Sequence, residues 1–515
     1  MSENLSQLIK ILLNRFNRGE YQEVIKKIYI IFKKQKNNDF LWNLSGLCFQ
    51  KLDKFEEAIF SFKRSIEINS NNLAAQNNLA LTYKLLKNFH EAEIILKKII
   101  KSKPNYINAL VNLGNLKNET YYFEEALSYF HKVLKINNNL PEIYLNISNI
   151  YQAQNNIKLA RETLFKCIEL DKFFTQADQS LSMLQSYKNN ENLDHVKDML
   201  EKLQNPNLKD EQIANLHFGL GKAFDDNENF EKAFYHYNIA NTQKSKNQKS
   251  KIYHYKNMSK NIKEFFSDLK TFNIREYTDN RKVIFVLGLP RSGTTLLEKI
   301  ISSHSEVGSV SECNFIISKI SQNILKQNQF KNELALELLN SDFSKHYFDF
   351  LKLFNINKKF IVDKSLNNFW YIGFINLFFP NSKIIHSQRN PKDNCLSIYK
   401  NNFPSREKWA YDQEEMANYY LIYKDLMNFW NNKFPNRIFN INYEDLINNS
   451  EVKTKEIIDY CELEWEDQCL KHQNNKNPIK TLSVNQANKP IYNTSINISA
   501  NYEKNLNKMF SILDK

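Results

Sequence analysis

A small residue returns every 34 positions in this chain, at Gly46, Ala80, Gly114 and Ser148, and a second small column follows 12 residues later at Ala58, Ala92, Ala126 and Ala160. Large apolar columns keep the same step: Phe62, Leu96, Phe130 and Leu164 in one, Trp42, Leu110 and Tyr144 in another, and Phe49, Tyr83 and Tyr151 in a third. A period of this length fits a pair of helices whose apolar face stays open until the next pair stacks on it. Small residues belong where two helices approach most closely, so a bulky residue at Ala92 is expected to overpack that contact.

The spacing is the tetratricopeptide pattern. A weaker unit precedes it around Gly19 to Val24, a degenerate one covers about 175 to 208, and Gly221 with Ala233 restores the 12-residue step. The expectation is an all-α solenoid over residues 1–245. Such a solenoid offers a groove for a peptide or protein partner, and the alternatives are structural support or a homodimer surface. The repeats carry no catalytic constellation: His90, His131 and His236 stand isolated in the sequence. Residues 246–280 are lysine-rich and then amphipathic around Ile262 to Leu269, which reads as a linker and a bridging helix before a second domain over 281–515.

That second domain alternates strand-like and helix-like segments. Strand candidates are Lys282 to Leu287, Phe360 to Val362, Lys383 to Gln388 and Ile438 to Asn442, with helix-period stretches such as Trp370 to Phe379 and Ala417 to Trp430 between them. The alternation predicts an α/β domain with a parallel sheet covered on both faces. Ligands of such sheets bind beyond the carboxyl ends of the strands. The informative residues fall there.

After the first strand comes Gly288-Leu-Pro-Arg-Ser-Gly-Thr-Thr295, then the helix-period run Leu296 to Ile301. Strand, glycine loop and helix together make a phosphate-binding loop. Gly288 and Gly293 permit close backbone approach, the N–H groups of residues 292–295 point at an anion, and Thr294 and Thr295 add hydroxyls. The Walker lysine is replaced by Thr294, and Arg291 sits inside the loop, which moves the ligand away from a magnesium nucleoside triphosphate. A second anion site is expected at Arg389 and Ser397, where Asn390 reads as a helix N-cap, Pro391 as the first helical residue and Asp393 as an acid in the first turn.

The two segments together resemble the sulfotransferase superfamily, and more closely the tyrosylprotein sulfotransferases and their bacterial relatives with tetratricopeptide repeats. The resemblance covers about 281 to 502. It implies that Arg291, Ser292, Gly293, Thr294 and Thr295 hold the 5′-phosphosulfate of 3′-phosphoadenylyl sulfate, that Arg389 and Ser397 hold its 3′-phosphate, and that Tyr443 belongs to the cofactor site. It implies Glu312, 21 residues beyond Arg291, as the catalytic base, with Arg291, Lys364 and Ser483 stabilising the transferred group. The sequence departs from the family at Ile498, where a basic residue is expected, at Ser499, where a Trp is expected, and at Asn401, where an Arg is expected beside Lys400.

The implied reaction is sulfuryl transfer to an acceptor hydroxyl without a metal, the acceptor being a peptide tyrosine, a glycan or a small molecule. Two alternatives stand beside it: a repeat scaffold with an inactive transferase domain, and a nucleoside-triphosphate kinase or ATPase, with Asp363 as the residue on which a metal reading rests. The charge of +13, from 70 Lys and Arg against 57 Asp and Glu, suits an anionic ligand. The chain is also rich in Lys, Asn and Ile and poor in Gly, so its basicity follows a composition bias, and no nucleic-acid partner is expected. Six scattered Cys without a CxxC pair suggest neither disulfides nor zinc. The absence of a secretory signal and of an 18-residue apolar run gives a cytoplasmic protein without a transmembrane segment as the expectation.

Overall fold

In the computed structural model the described residues are 3–33, 37–246, 252–269, 279–326, 329–403, 407–475, 477–478, 480–481 and 484–515. The chain forms two compact units, residues 1–138 and 139–515.

The first unit is helical throughout its described length. Asp39–Lys51 pairs with Phe55–Ile68, Leu73–Leu85 with Phe89–Ser102, and Ile107–Glu119 with Phe123–Ile136, following the 34-residue step. Glu3–Asn17 and Tyr21–Phe32 form the weaker leading pair. The columns read from the sequence meet across each pair with matched sizes. A Cβ on Gly46 would lie 2.5 Å from the Phe62 ring, and one on Gly114 would lie 2.7 Å from the Phe130 ring. Where the small residue grows to Ala80, its partner 16 residues on shrinks to Leu96, and both are buried. A large ring thus faces glycine and a smaller side chain faces alanine, as close packing favours.

The second unit continues with the same logic and then changes class. Pro141–Ala153 pairs with Ile157–Leu170, where Ser148 and Leu164 repeat the smaller pairing. Thr175–Leu184 with Leu193–Lys202 is the degenerate unit, and Asp210–Asp226 with Phe230–Ser245 restores the pattern, with a Cβ on Gly221 meeting the Tyr237 ring at 2.6 Å. His236 is not isolated: it is buried against His217, Nδ1 to Nδ1 at 2.8 Å.

Five parallel strands, β1 (Lys282–Leu287), β2 (Val307–Ser311), β3 (Phe360–Asp363), β4 (Lys383–Gln388) and β5 (Ile438–Asn442), form a sheet in the order β2-β3-β1-β4-β5. On one face Ile284 and Val286 pack with Leu297, Ile300 and Ile301 of the helix Thr294–Ser302. On the other, Phe285 meets Tyr347 and Phe379. Both faces are therefore covered, and β1 lies at the centre, so its carboxyl end opens between β3 and β4. The chain reverses its strand order there, which is where such sheets bind ligands.

The helix Ile252–Asp268 packs on the sheet domain, with Phe266 against Phe374 and Trp430 and Lys263 paired with Asp425 at 2.6 Å. The expected linker falls partly on 247–251 and 270–278, outside the described residues. The final repeat helices are tied to the sheet domain by polar contacts. Lys400 pairs with both oxygens of Asp225 at 2.9 and 2.8 Å, and Asn241 donates to the Tyr399 carbonyl at 2.9 Å.

Candidate functional site

The loop after β1 has the backbone that its glycines predict. Gly288 has φ +146° and Gly293 φ +100°, conformations that a side chain strains. Space enforces the same choice: a Cβ at Gly288 would lie 2.6 Å from the Ser387 carbonyl oxygen, and one at Gly293 would lie 2.5 Å from the Tyr443 ring. Gly293 caps the helix Thr294–Ser302, whose first N–H groups have no intrahelical acceptor. Ser292, Thr294 and Thr295 are buried at that end. The neighbouring strand and the helix that follows it lock the loop, the Ser387 hydroxyl of β4 donating to the Ser292 carbonyl at 2.7 Å and Asn394 Nδ2 of the helix Pro391–Tyr399 donating to the Pro290 carbonyl at 2.8 Å.

Arg291, Arg389, Ser397 and Tyr443 converge above this loop. Arg291 Nε donates to Ser397 Oγ at 3.1 Å, and Arg389 Nη1 donates to the Arg291 carbonyl at 2.9 Å. The Arg389 guanidinium lies over the Tyr443 ring at 5.0 Å. Burial, and then the charge of Arg389, hold the Arg291 guanidinium below its ordinary value. Two guanidinium groups facing one another are stable only when an anion or oriented acceptors lie between them. Arg389 Nε is buried without a hydrogen-bond partner.

The C-terminal segment supplies acceptors. Gln486 Oε1 accepts from Arg291 at 2.5 Å, the Ser495 carbonyl accepts from Arg389 at 2.5 Å, and the Ser495 and Tyr443 hydroxyls share a hydrogen bond of 2.7 Å. Asp393 fixes this segment by accepting the N–H groups of Asn497 at 2.6 Å and Ser499 at 2.8 Å. Asp393 thus does more than favour its own helix, whose start at Pro391 and N-cap at Asn390 match the sequence reading. At the departures, Ile498 opens a short 3₁₀ turn, Asn401 donates to the Ser397 carbonyl at 2.7 Å, and Lys400 is taken by Asp225.

A second cluster forms at the ends of β2 and β3. Because Ser311 is paired with Asp363 in the sheet, the next residues, Glu312 and Lys364, emerge side by side, and Lys364 Nζ bonds directly to Glu312 Oε1. The Glu312 loop is pinned by Asn314 N donating to Ser365 Oγ at 2.9 Å. Asp363 is buried beneath it, accepting from Tyr347 at 2.9 Å and Ser365 Oγ at 2.6 Å, and burial pushes its carboxyl up despite those bonds. These contacts account for Asp363 as a framework residue. Among the described residues no group of three or more His, Cys, Asp or Glu is placed to hold a metal ion.

Sequence reasoning missed Glu298. It lies on the helix Thr294–Ser302, has no exposed surface, and sits 3.7 Å from Lys364 Nζ. Its Oε1 accepts from Ser309 at 2.5 Å. The available signal was its place on the apolar helix face one turn beyond Thr294, where a carboxylate needs a partner. Burial alone would push Lys364 down, but Glu312 and Glu298 hold it above the ordinary lysine value. Ser483 lies outside the described residues. Just before it, Thr481 Oγ1 meets Thr295 Oγ1 at 3.4 Å and the Lys480 carbonyl accepts from Ser311 at 3.4 Å, which brings that stretch to both clusters.

Beside the arginine cluster lies a cavity of about 540 Å³ lined by Ser292, Arg389, Asn394, Tyr420, Lys424 and Glu444 among others. No helix among the described residues is long and apolar enough to cross a membrane.

Comparison with known proteins follows the same division. Residues 41–72, 73–106 and 141–174 match the tetratricopeptide repeat. Over 248 residues, 46% of this chain, the sequence is 35% identical to an uncharacterized protein of Aquifex aeolicus (strain VF5), and it spans 33% of that protein's length. Among solved structures, a tetratricopeptide repeat protein from Parabacteroides merdae is 17% identical with a TM-score of 0.35, covering 46% of this chain and 92% of that one. MamA from Desulfovibrio magneticus RS-1 is 16% identical with a TM-score of 0.30, covering 33% of this chain and 97% of its own. Residues 283–467 match the sulfotransferase family, and with the repeat matches this supports a chain of tetratricopeptide repeats joined to a sulfotransferase-superfamily domain.

Proposed function

We propose that the sheet domain transfers a sulfuryl group from 3′-phosphoadenylyl sulfate to an acceptor hydroxyl, with a peptide tyrosine as the acceptor class. The observation that carries this reading is the meeting of the Gly288–Thr295 loop with Arg389 and Ser397 at the sheet end that also carries the Glu312–Lys364 pair. The co-substrate fits the residues present. The loop ends at a helix N-terminus, the two glycines let it pack against Ser387 and Tyr443 where any side chain would collide, and Arg389 keeps a buried Nε without a partner. Arg389 and Ser397 would take the 3′-phosphate, and residues 291–295 the 5′-phosphate.

In the reaction the acceptor oxygen attacks sulfur, the bond between sulfur and the bridging phosphate oxygen breaks, and the electron pair leaves with the 5′-phosphate. Glu312 takes the acceptor's proton. Its exposed position, with a side chain 32% accessible, lets an acceptor reach it. Arg291 and Lys364 place positive charge where the departing oxygen becomes negative, and Ser483 is assigned a hydroxyl donor's role at the same point. Lys364 must exchange its bond to Glu312 for one to the reacting group. Arg291 and Arg389 likewise exchange Gln486 and the Ser495 carbonyl for phosphate oxygens.

Mass spectrometry of acceptor proteins and small molecules incubated with the enzyme and isotopically labelled 3′-phosphoadenylyl sulfate tests the assignment. The expected result is a labelled sulfuryl group on tyrosine that disappears in Lys364→Ala. Label on another hydroxyl replaces the acceptor class, and no transfer from this donor contradicts the proposal.

A further inference from the structure

Lys364 has two carboxylate partners, and the proposed reaction uses only one of them. Glu312 is partly exposed and forms the direct bond; Glu298 is sealed from solvent at 3.7 Å and is held by Ser309 and, at 3.5 Å, by Ser311 Oγ. When Glu312 accepts the acceptor's proton it loses its charge. A buried ammonium whose only counter-charge has just been neutralised is expensive and sheds its own proton. Lys364 would then stop stabilising the leaving group at the moment that charge is needed.

We propose that Glu298 is a positioning residue that keeps Lys364 charged while Glu312 takes up the proton. This rests on the reading of the site as a sulfuryl-transfer centre. The geometry suits the role. Glu298 is anchored by hydroxyls on β2 and lies too far from Lys364 for a short bond, so it supplies charge while leaving the ammonium free to turn toward the reacting group. Among the described residues these charged groups lie around it. Lys299, on the same helix, is held by the Asn475 carbonyl at 2.8 Å; burial pushes its ammonium down, and the charge of Glu298 opposes that. Asp363 beside Lys364 is engaged with Tyr347, Ser365 and Cys313. Glu312 and Lys364 also act on it.

Replacing Glu298 by Gln removes the charge and keeps the shape. A lost negative neighbour makes Lys364 easier to deprotonate, so the basic limb of the pH–rate profile should move to lower pH by about one unit. Glu298→Asp should restore its position. If Glu298→Gln lowers kcat and leaves the basic limb in place, Glu298 has only a packing role and the proposal falls.

The second measurement needs no turnover, and so separates this proposal from the function on which it rests. In the fold Lys364 is held above its ordinary value, so it contributes stability below the unfolded lysine value and loses it as pH rises through the folded one. The melting temperatures of wild type and Glu298→Gln should therefore converge only above the ordinary lysine value of about pH 10.4, as pH rises through the folded Lys364 value. A difference that stays constant over that range overturns the charge-keeping role even if the wild type proves to be an active sulfotransferase. Convergence in a protein that transfers no sulfuryl group would keep the electrostatic role and discard the reaction.

Discussion

Lys202 and Lys364 are both sealed from solvent, and each is held by one buried and one partly exposed carboxylate. Lys202, in the degenerate repeat, lies 2.7 Å from buried Asp178 and 2.6 Å from Asp198, whose side chain is 33% accessible. Lys364, at the end of β3, has buried Glu298 and Glu312, whose side chain is 32% accessible. The local arrangements are nearly the same, but their surroundings differ. Asp178 also meets His195 Nε2 at 3.3 Å, and His195 Nδ1 reaches Tyr187 at 2.7 Å and Gln185 at 2.8 Å, so the Lys202 cluster closes on itself. The Lys364 cluster opens at the carboxyl end of a parallel sheet beside the glycine loop Gly288–Thr295. A buried ion triad is therefore no mark of chemistry by itself, and its place in the topology makes the difference.

Substitutions can break this comparison. Lys364→Met should lower kcat roughly 100- to 1000-fold, the loss typical of removing one preorganised charge from a transition state. Glu312→Gln should follow with about 100-fold or more, read as kcat with donor binding unchanged. Arg389→Ala should act on binding. Calorimetry should show adenosine 3′,5′-bisphosphate weakened roughly 10- to 150-fold, and adenosine 5′-phosphosulfate, which lacks the 3′-phosphate, far less affected. Lys202→Met should have the smallest effect on activity, within about twofold per folded molecule, while costing about 3–5 kcal/mol of stability in a denaturant titration. If Lys202→Met abolished transfer in folded protein, the two clusters would have to be reassigned together.

The sequence read the parts of this molecule that are periodic or compact. The 34-residue columns located the helix pairs, and β1, β4 and β5 match their apolar runs residue for residue. It missed β2, because Val-Gly-Ser-Val-Ser is hardly apolar; its buried serines find partners such as Glu298, which accepts from Ser309, a contact no local pattern announces. Trp370 to Phe379 read as one helix, whereas a 3₁₀ turn over Leu366–Tyr371 precedes a shorter helix at Ile372–Phe378. Within the site, Arg291, Arg389, Ser397, Lys364 and Tyr443 were legible from a loop, strand ends and a helix, and Glu312 from the family resemblance; Arg291, Arg389, Ser397 and Tyr443 lie together, as do Glu312 and Lys364. The acceptors Gln486 and Ser495 were not. They reach the arginines from more than 100 residues away in sequence, through a segment whose attachment depends on Asp393.

Calorimetric titration of the full chain with adenosine 3′,5′-bisphosphate, set against ATP with magnesium, tests the central claim most directly. The bisphosphate should bind saturably and lose most of its affinity when the 3′-phosphate is removed, and ATP should bind more weakly. Tighter binding of magnesium ATP, or equal binding of the nucleotide with and without its 3′-phosphate, would contradict it.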